Sequence, residues 1–169
     1  MLLVVGGHSR NTGKTGVVVA LIEALPDARW TAVKISPHYH QADSGANTDT
    51  ARFLAAGAVR SHLIDTPEAL GPILESGENV IAESNRVLDF LKPDLYLMVL
   101  DFSVLDFKES AAKRLDSVDA FVVVGRGIRK PPWTDLPAGW YERKPKFFVA
   151  PPAYMTPEVV EFVRSKAGL

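Results

Sequence analysis

The sequence predicts a three-layer α/β domain: a mainly parallel sheet of about seven strands with helices on both faces. Two observations predict it. Apolar runs of strand length alternate with longer segments of helical period, the mark of crossover units. Most of the short runs are apolar throughout, as strands covered on both faces must be.

The first strand is expected over residues 2–6, where "LLVVG" stops at a glycine-rich turn, and the first helix over 14–24, "KTGVVVALIEA". A second strand over 30–34, "WTAVK", leads into a long polar segment, and a helix over 49–56 follows with Asn47 or Thr48 as its start. The third strand spans 61–64. Thr66-Pro67-Glu68 then opens a helix over 67–75, because proline is tolerated in a first turn and an acid favours it. Strands over 79–83, "NVIAE", and 95–101, "LYLMVLD", precede a helix over 108–115. Strands over 120–124 and 147–150 and a last helix over 157–166, started by Thr156-Pro157-Glu158, complete the series. Two stretches break the rhythm. Residues 35–47, "ISPHYHQADSGAN", and 125–146, "GRGIRKPPWTDLPAGWYERKPK", are long, polar and rich in glycine or proline, as functional or disordered loops are.

A chain of 169 residues fits one domain, residues 1–169. With 19 Lys and Arg against 20 Asp and Glu, its net charge of -1 speaks against a general nucleic-acid or membrane-surface binder. Any polyanion must be held locally. The absence of cysteine excludes disulfides and thiolate metal sites and fits a reducing compartment. The chain enters its first strand without a signal-like segment, and no apolar run reaches the ~18 residues a membrane helix needs. A cytoplasmic protein is expected.

Between the first strand and the first helix lies "GGHSRNTGKTG", residues 6–16. Gly13-Lys14-Thr15 has the form of the end of a phosphate-binding loop, and the strand–turn–helix context supports that reading. Glycines let backbone N–H groups converge on an anion, the helix N-terminus adds partial positive charge, and the lysine adds a full one. Thr15 places a hydroxyl for Mg²⁺. The usual motif has four residues between its first glycine and the Gly-Lys pair. Here His8 stands at that place, and Gly7 leaves five. The five-residue spacing of "GHSRNTGKT" resembles the loop of dethiobiotin synthetase and its relatives, a branch of P-loop proteins that includes the molybdopterin-guanine dinucleotide biosynthesis protein B family. The predicted nucleotide-binding residues are therefore Gly7, His8, Ser9, Arg10, Asn11, Thr12, Gly13, Lys14, Thr15 and Gly16. Arg10 either reaches a terminal phosphate or points to solvent.

Ligands of such sheets bind beyond the carboxyl ends of the strands, so polar residues there should make joint chemical sense. Lys34 ends the second strand, Asp49 opens the helix of "NTDTARFLAAGA", and Glu83 ends the fourth strand. A magnesium nucleotide needs carboxylates near the metal and a cation near the moving charge. The alternatives are a helix-starting acid for Asp49, an edge charge for Glu83 and a solvated lysine for Lys34. The resemblance covers the same positions in the same order: a strand-end lysine, an acid opening the next helix, and a glutamate ending the Walker B strand. It implies Thr15, Asp49 and Glu83 as magnesium-associated residues, and Lys14, Lys34 and Glu83 as the catalytic ones. "ESNR" departs from the Glu-Gly usual in both families: Ser84 and Asn85 replace glycine, which bears on substrates needing close backbone approach.

His38, His40 and Asp43 lie on the first long loop and read as a polar loop, a substrate contact or a weak zinc set. "GRGIRKPPW" lacks a third glycine, and Pro131-Pro132 forbid the helix of a dinucleotide fingerprint. It reads as a loop over a base, through Arg126, Arg129, Lys130 or Trp133, or as a solvated loop packed by Trp133 and Trp140. No Asn-Lys-x-Asp guanine reader follows a strand, so GTP and ATP both stay open. The resemblance implies a Mg-dependent nucleoside triphosphatase of the protein B type, partnered by a cofactor-biosynthesis protein or a small anionic substrate, and a homodimer. Arginine and the aromatics Trp133, Trp140 and Tyr141 in residues 125–146 favour an interface. The alternatives are a ligase activating a small carboxylate or carbamate, and a nucleotide-switched binding module.

Overall fold

Seven strands form one sheet in the order β3-β2-β4-β1-β5-β6-β7, every neighbouring pair parallel. They are β1 (Leu2–Gly7), β2 (Thr31–Ile35), β3 (Arg60–Ile64), β4 (Val80–Glu83), β5 (Leu95–Asp101), β6 (Ala120–Val124) and β7 (Lys146–Val149). The helices are α1 (Lys14–Ala24), α2 (Asp49–Ala55), α3 (Gly71–Leu74), α4 (Glu109–Ala112) and α5 (Pro157–Ala167). This computed structural model describes residues 1–36 and 48–169. The expected α/β class, the seven strands and the parallel sheet are therefore observed. No helix among the described residues is long and apolar enough to cross a membrane.

Strand periodicity divides the core. Successive side chains point to opposite faces, so Leu3 and Val5 of β1 pack with Val17, Leu21 and Ile22 of α1 and Val159 and Val163 of α5. Leu2 and Val4 face the other way, onto Leu70, Val87, Ala111 and Leu115. Helices thus cover both faces, but unequally. The first face carries two helices of 11 residues, whereas α3 and α4 on the second have four each. The expected helix over 67–75 is a 3₁₀ turn, Pro67–Leu70, followed by α3, because Pro72 offers no N–H to continue the ladder. The helix expected over 108–115 likewise shortens to α4, with a 3₁₀ turn at Leu115–Ser117. Of the two candidate caps for α2, Thr48 serves, its Oγ1 accepting from the Ala51 N–H at 3.2 Å.

β1 lies at the centre of the sheet. The chain builds β2, β3 and β4 on one side of it and β5, β6 and β7 on the other, so the direction of winding reverses beside β1. Loops at such a reversal part to leave a crevice at the carboxyl end of the strands, where the glycine-rich turn stands. Leu97, in the middle of β5 beside β1, is fully buried. Leu97→Ala is expected to cost about 2–5 kcal/mol, read as a lower denaturant midpoint at unchanged slope.

Candidate functional site

The site begins with the way the chain leaves β1. Asn85, from the turn after β4, reaches across and holds Gly7 at both ends: its Oδ1 accepts from the Gly7 N–H at 3.0 Å and its Nδ2 donates to the Gly7 carbonyl at 2.7 Å. This closeness dictates the two glycines. A Cβ at Gly6 would lie 2.0 Å from Asn85 Oδ1 and 2.8 Å from the buried Tyr96 ring, and one at Gly7 would lie 2.5 Å from Thr12 Oγ1. The departure Ser84-Asn85 therefore has a structural role, and Ser84 Oγ accepts from the Arg86 N–H at 3.0 Å in the same turn.

His8 is fully buried, and its ring is directed away from the crevice. Nδ1 pairs with the Asp106 carbonyl at 2.9 Å, and Nε2 accepts from the Asp101 N–H at 3.2 Å, so the neutral Nδ1–H tautomer satisfies both. The ring packs on Trp133 and Phe107, with centroids 4.6 and 5.2 Å away. Burial pushes its pKa below the ordinary value, against the raising effect of its carbonyl partner at Asp106. Ser9 donates to the Asp106 carboxylate. These two loop residues hold the segment between β5 and α4, while the residues after them face the crevice.

Residues 10–16 line a cavity of about 760 Å³ together with Lys34, Ser36, Asp49, Arg52, Glu83, Arg86, Lys108, Arg126 and Tyr154. Gly13 takes a left-handed conformation, φ 94°, at the start of α1, and the Tyr154 ring lies so close that a Cβ there would meet it at 2.7 Å. Lys14 Nζ donates to the Ser9 carbonyl at 2.9 Å, curling over the loop. Its pKa is lowered by burial, which outweighs the attraction of Glu83. Thr12 Oγ1 is buried without a hydrogen-bond partner among the described residues, although Thr12 lines the cavity.

Sheet register assembles the charged half of the site. Lys34 of β2 lies directly beside Glu83 of β4, which in turn lies beside Val5 of β1. The Lys34 ammonium pairs with Glu83 Oε1 and lies 3.1 Å from Asp49 Oδ2, while Glu83 Oε2 accepts from Thr15 Oγ1 at 2.8 Å. Burial alone would lower the Lys34 pKa, but the two carboxylates override it and the value is raised. Thr15, Lys34, Asp49 and Glu83, far apart in sequence, form one connected network. Its hydroxyl and carboxylate oxygens are the hard donors Mg²⁺ takes, and few are needed because that ion keeps several waters. The cavity carries seven cationic side chains, Arg10, Lys14, Lys34, Arg52, Arg86, Lys108 and Arg126, against two carboxylates, Asp49 and Glu83. A local excess of positive charge thus sits on a chain whose net charge is -1.

Arg126, at φ 47° after β6, borders this cavity and a second one of about 830 Å³, lined by residues 125–129 and by Phe148, Val149, Ala150 and Pro151. Its Nε donates to Asp101 Oδ2 at 3.1 Å, and bonds from Ser103 and Arg126 hold the Asp101 pKa down despite burial, which would raise it. Trp133, Trp140 and Tyr141 are engaged within the chain. Trp133 Nε1 donates to the Leu105 carbonyl at 2.8 Å, and the three rings pack among Phe102, Phe107 and Phe121. His38, His40 and Asp43 lie outside the described residues. Asn85 and Tyr154 were missed from the sequence as site residues. The missing glycine at the turn after β4 was the one available signal for Asn85, whereas Tyr154 lies on an irregular segment without a pattern.

No protein-family model matches the chain, and no curated protein matches it. Among solved structures it is similar to LpxK from Aquifex aeolicus, a crystal structure of the "apo" form in complex with ATP. The identity is 18% and the TM-score 0.57, over 87% of this chain and 53% of that one. This chain thus spans about half the length of that protein.

His8 gives the scaffold a pH signature. A folded-state pKa below the unfolded value of about 6.5 means that its contribution is complete above that value and is lost as pH falls through the depressed one. Between pH 7.5 and 5 the stability gap between the parent and His8→Gln is expected to narrow, measured as paired denaturation midpoints. Taken with the parallel sheet and its order around β1, the likeness to LpxK shows that the chain has the P-loop NTPase fold.

Proposed function

We propose that the chain binds a magnesium nucleoside triphosphate, GTP or ATP, in the larger cavity and hydrolyses it slowly. The observation that carries this reading is the single network of Thr15, Glu83, Lys34 and Asp49 beside Lys14. Amides of residues 10–16 and the Lys14 ammonium hold the β and γ phosphates. The buried Thr12 hydroxyl, without a protein partner among the described residues, donates to the same oxygens. Thr15 and Asp49 would hold Mg²⁺, with Glu83 beside it, and the ion would supply charge neutralisation on the phosphates. Glu83 also orients the attacking water and Lys34 faces the charge that moves. As the water oxygen bonds to the γ phosphorus, the bond to the β–γ bridging oxygen breaks and a proton of the water passes to the phosphate oxygens, leaving nucleoside diphosphate and inorganic phosphate. The base lies toward the second cavity, past Arg126.

Within this reading the chain acts as an adaptor resembling the molybdopterin-guanine dinucleotide biosynthesis protein B, on a cofactor-biosynthesis partner or a small anionic substrate, as a cytoplasmic homodimer. The dimer draws no support from Trp133, Trp140 and Tyr141, whose rings are used internally. Light scattering tests it: a mass near 18.4 kDa with nucleotide present overturns it. A thermal-shift series with ATP, GTP and their diphosphates, with and without Mg²⁺, identifies the ligand, since ligand at about 100 times its Kd adds roughly 2.7 kcal/mol. Product analysis then decides the activity. Phosphate released without added acid supports hydrolysis, diphosphate formed only with an added carboxylate supports a ligase, and binding without turnover supports a switched module.

Lys14→Ala is expected to abolish triphosphate binding in a folded protein, and unchanged affinity overturns the assignment. Asp49→Asn and Glu83→Gln are each expected to weaken binding with Mg²⁺ more than binding without it. Equal losses in paired titrations place neither carboxylate at the metal.

A further inference from the structure

We infer that the cavity holds a second anion subsite beside the terminal phosphate, built by Arg10, Arg86 and Lys108, and that it takes the phosphate group of a second substrate. The inference rests on the nucleotide reading above. Three cations of the cavity have carboxylate partners: Lys34 with Glu83 and Asp49, Arg52 with Asp49 at 3.5 Å, and Arg126 with Asp101. Arg10, Arg86 and Lys108 have none within 4.0 Å among the described residues, yet all line the cavity.

They follow three adjacent strands, β1, β4 and β5, so all three stand beyond the carboxyl end of the sheet and line one cavity, Arg10 and Arg86 exposed and Lys108 half-buried. Two are held by their own backbones: the Lys108 N–H donates to the His8 carbonyl at 3.0 Å and the Arg86 N–H to Ser84 Oγ at 3.0 Å. Lys108 is near enough to Lys14 for its charge to act on that ammonium.

Charge decides the ligand class. A triphosphate carries about four negative charges, and Mg²⁺ with Lys14 offsets about three. Arg10, Arg86 and Lys108 exceed the remainder by about two, the charge of a phosphate monoester near neutral pH. A carboxylate supplies only one charge, and its two oxygens are satisfied by a single arginine fork.

The test uses the full chain loaded with Mg²⁺ and a non-hydrolysable triphosphate, titrated at fixed ionic strength with methyl phosphate and, separately, with acetate. Saturable one-to-one binding of methyl phosphate is expected, with acetate at least about tenfold weaker. Arg86→Gln and Lys108→Gln are each expected to weaken methyl phosphate by about tenfold and the triphosphate by clearly less, and the triphosphate binding that remains also reports that the variants fold. No binding to the loaded protein, or unchanged binding in both variants, overturns the subsite. Acetate binding as tightly as methyl phosphate overturns its assignment to phosphate. Loading is measured first: a triphosphate that fails to bind overturns the nucleotide reading and the subsite together, whereas a loaded protein that ignores methyl phosphate overturns the subsite alone.

Discussion

The Gly7 backbone, held at both its N–H and its carbonyl by the Asn85 side chain, is the constraint on which the rest of the site depends. On the proposed function, a loop that presents its amides to an anion cannot also spend them on its own folding. Its exit from the sheet therefore has to be fixed by a group from elsewhere. Asn85 suits this task because one amide side chain offers both an acceptor for the N–H and a donor for the carbonyl of a single residue. Asn85 stands directly after the strand that also supplies Glu83, so one short segment both anchors the loop and provides its acid. The requirement for glycine at residue 6 follows from the same contact and not from any need for unusual backbone angles.

The charged half of the site shows a different economy. Parallel register sets Lys34 beside Glu83, and the helix cap at Thr48 brings Asp49 to the same ammonium. Three charges that would each be costly to desolvate alone are brought together, and their mutual attraction keeps Lys34 protonated in spite of burial. Lys14 and Thr15 are likewise engaged by protein oxygens, Ser9 O and Glu83 Oε2. These contacts hold the two side chains at the mouth of the loop. On the proposed function, a phosphate or hydrated cation would exchange one oxygen partner for another at these atoms, so little new order would have to be created on binding.

Much of this was legible in the sequence. Strands such as 95–101 and 120–124 are apolar at every position, and only a strand covered on both faces demands that. Lys14, Thr15, Lys34, Asp49 and Glu83 were readable as a group because each stands at the carboxyl edge of a strand or the start of a helix, where topology gathers side chains. Helix lengths on the second face were not legible. Start signals at Thr66-Pro67 mark where a helix begins, but Pro72 interrupts its hydrogen-bond ladder and splits the run into a 3₁₀ turn and α3. The direction of the His8 ring was also hidden, since position in a motif says nothing of which neighbour satisfies a side chain. The aromatics of residues 125–146 posed the same difficulty: composition that marks an interface also marks a small internal core, and here Phe102, Phe107 and Phe121 supply that core.

The spacing of the loop has its explanation in that ring. A loop with four intervening residues would put glycine where His8 stands, and a glycine there would leave the Asp106 carbonyl and the Asp101 N–H without these partners. His8 also gives its carbonyl to Lys108, so a single residue joins the start of the loop to three points of the β5–α4 segment. The glycine that the turn needs is moved back one position, to Gly7, where Asn85 receives it. The added residue thus separates two tasks that a shorter loop combines. Residues 7–9 attach the loop to the strands on either side of β1, and residues 10–16 line the cavity. The attachment on both flanks joins the β5–α4 segment, and Trp133 packed on the His8 ring, to the glycine-rich loop through hydrogen bonds and ring contact.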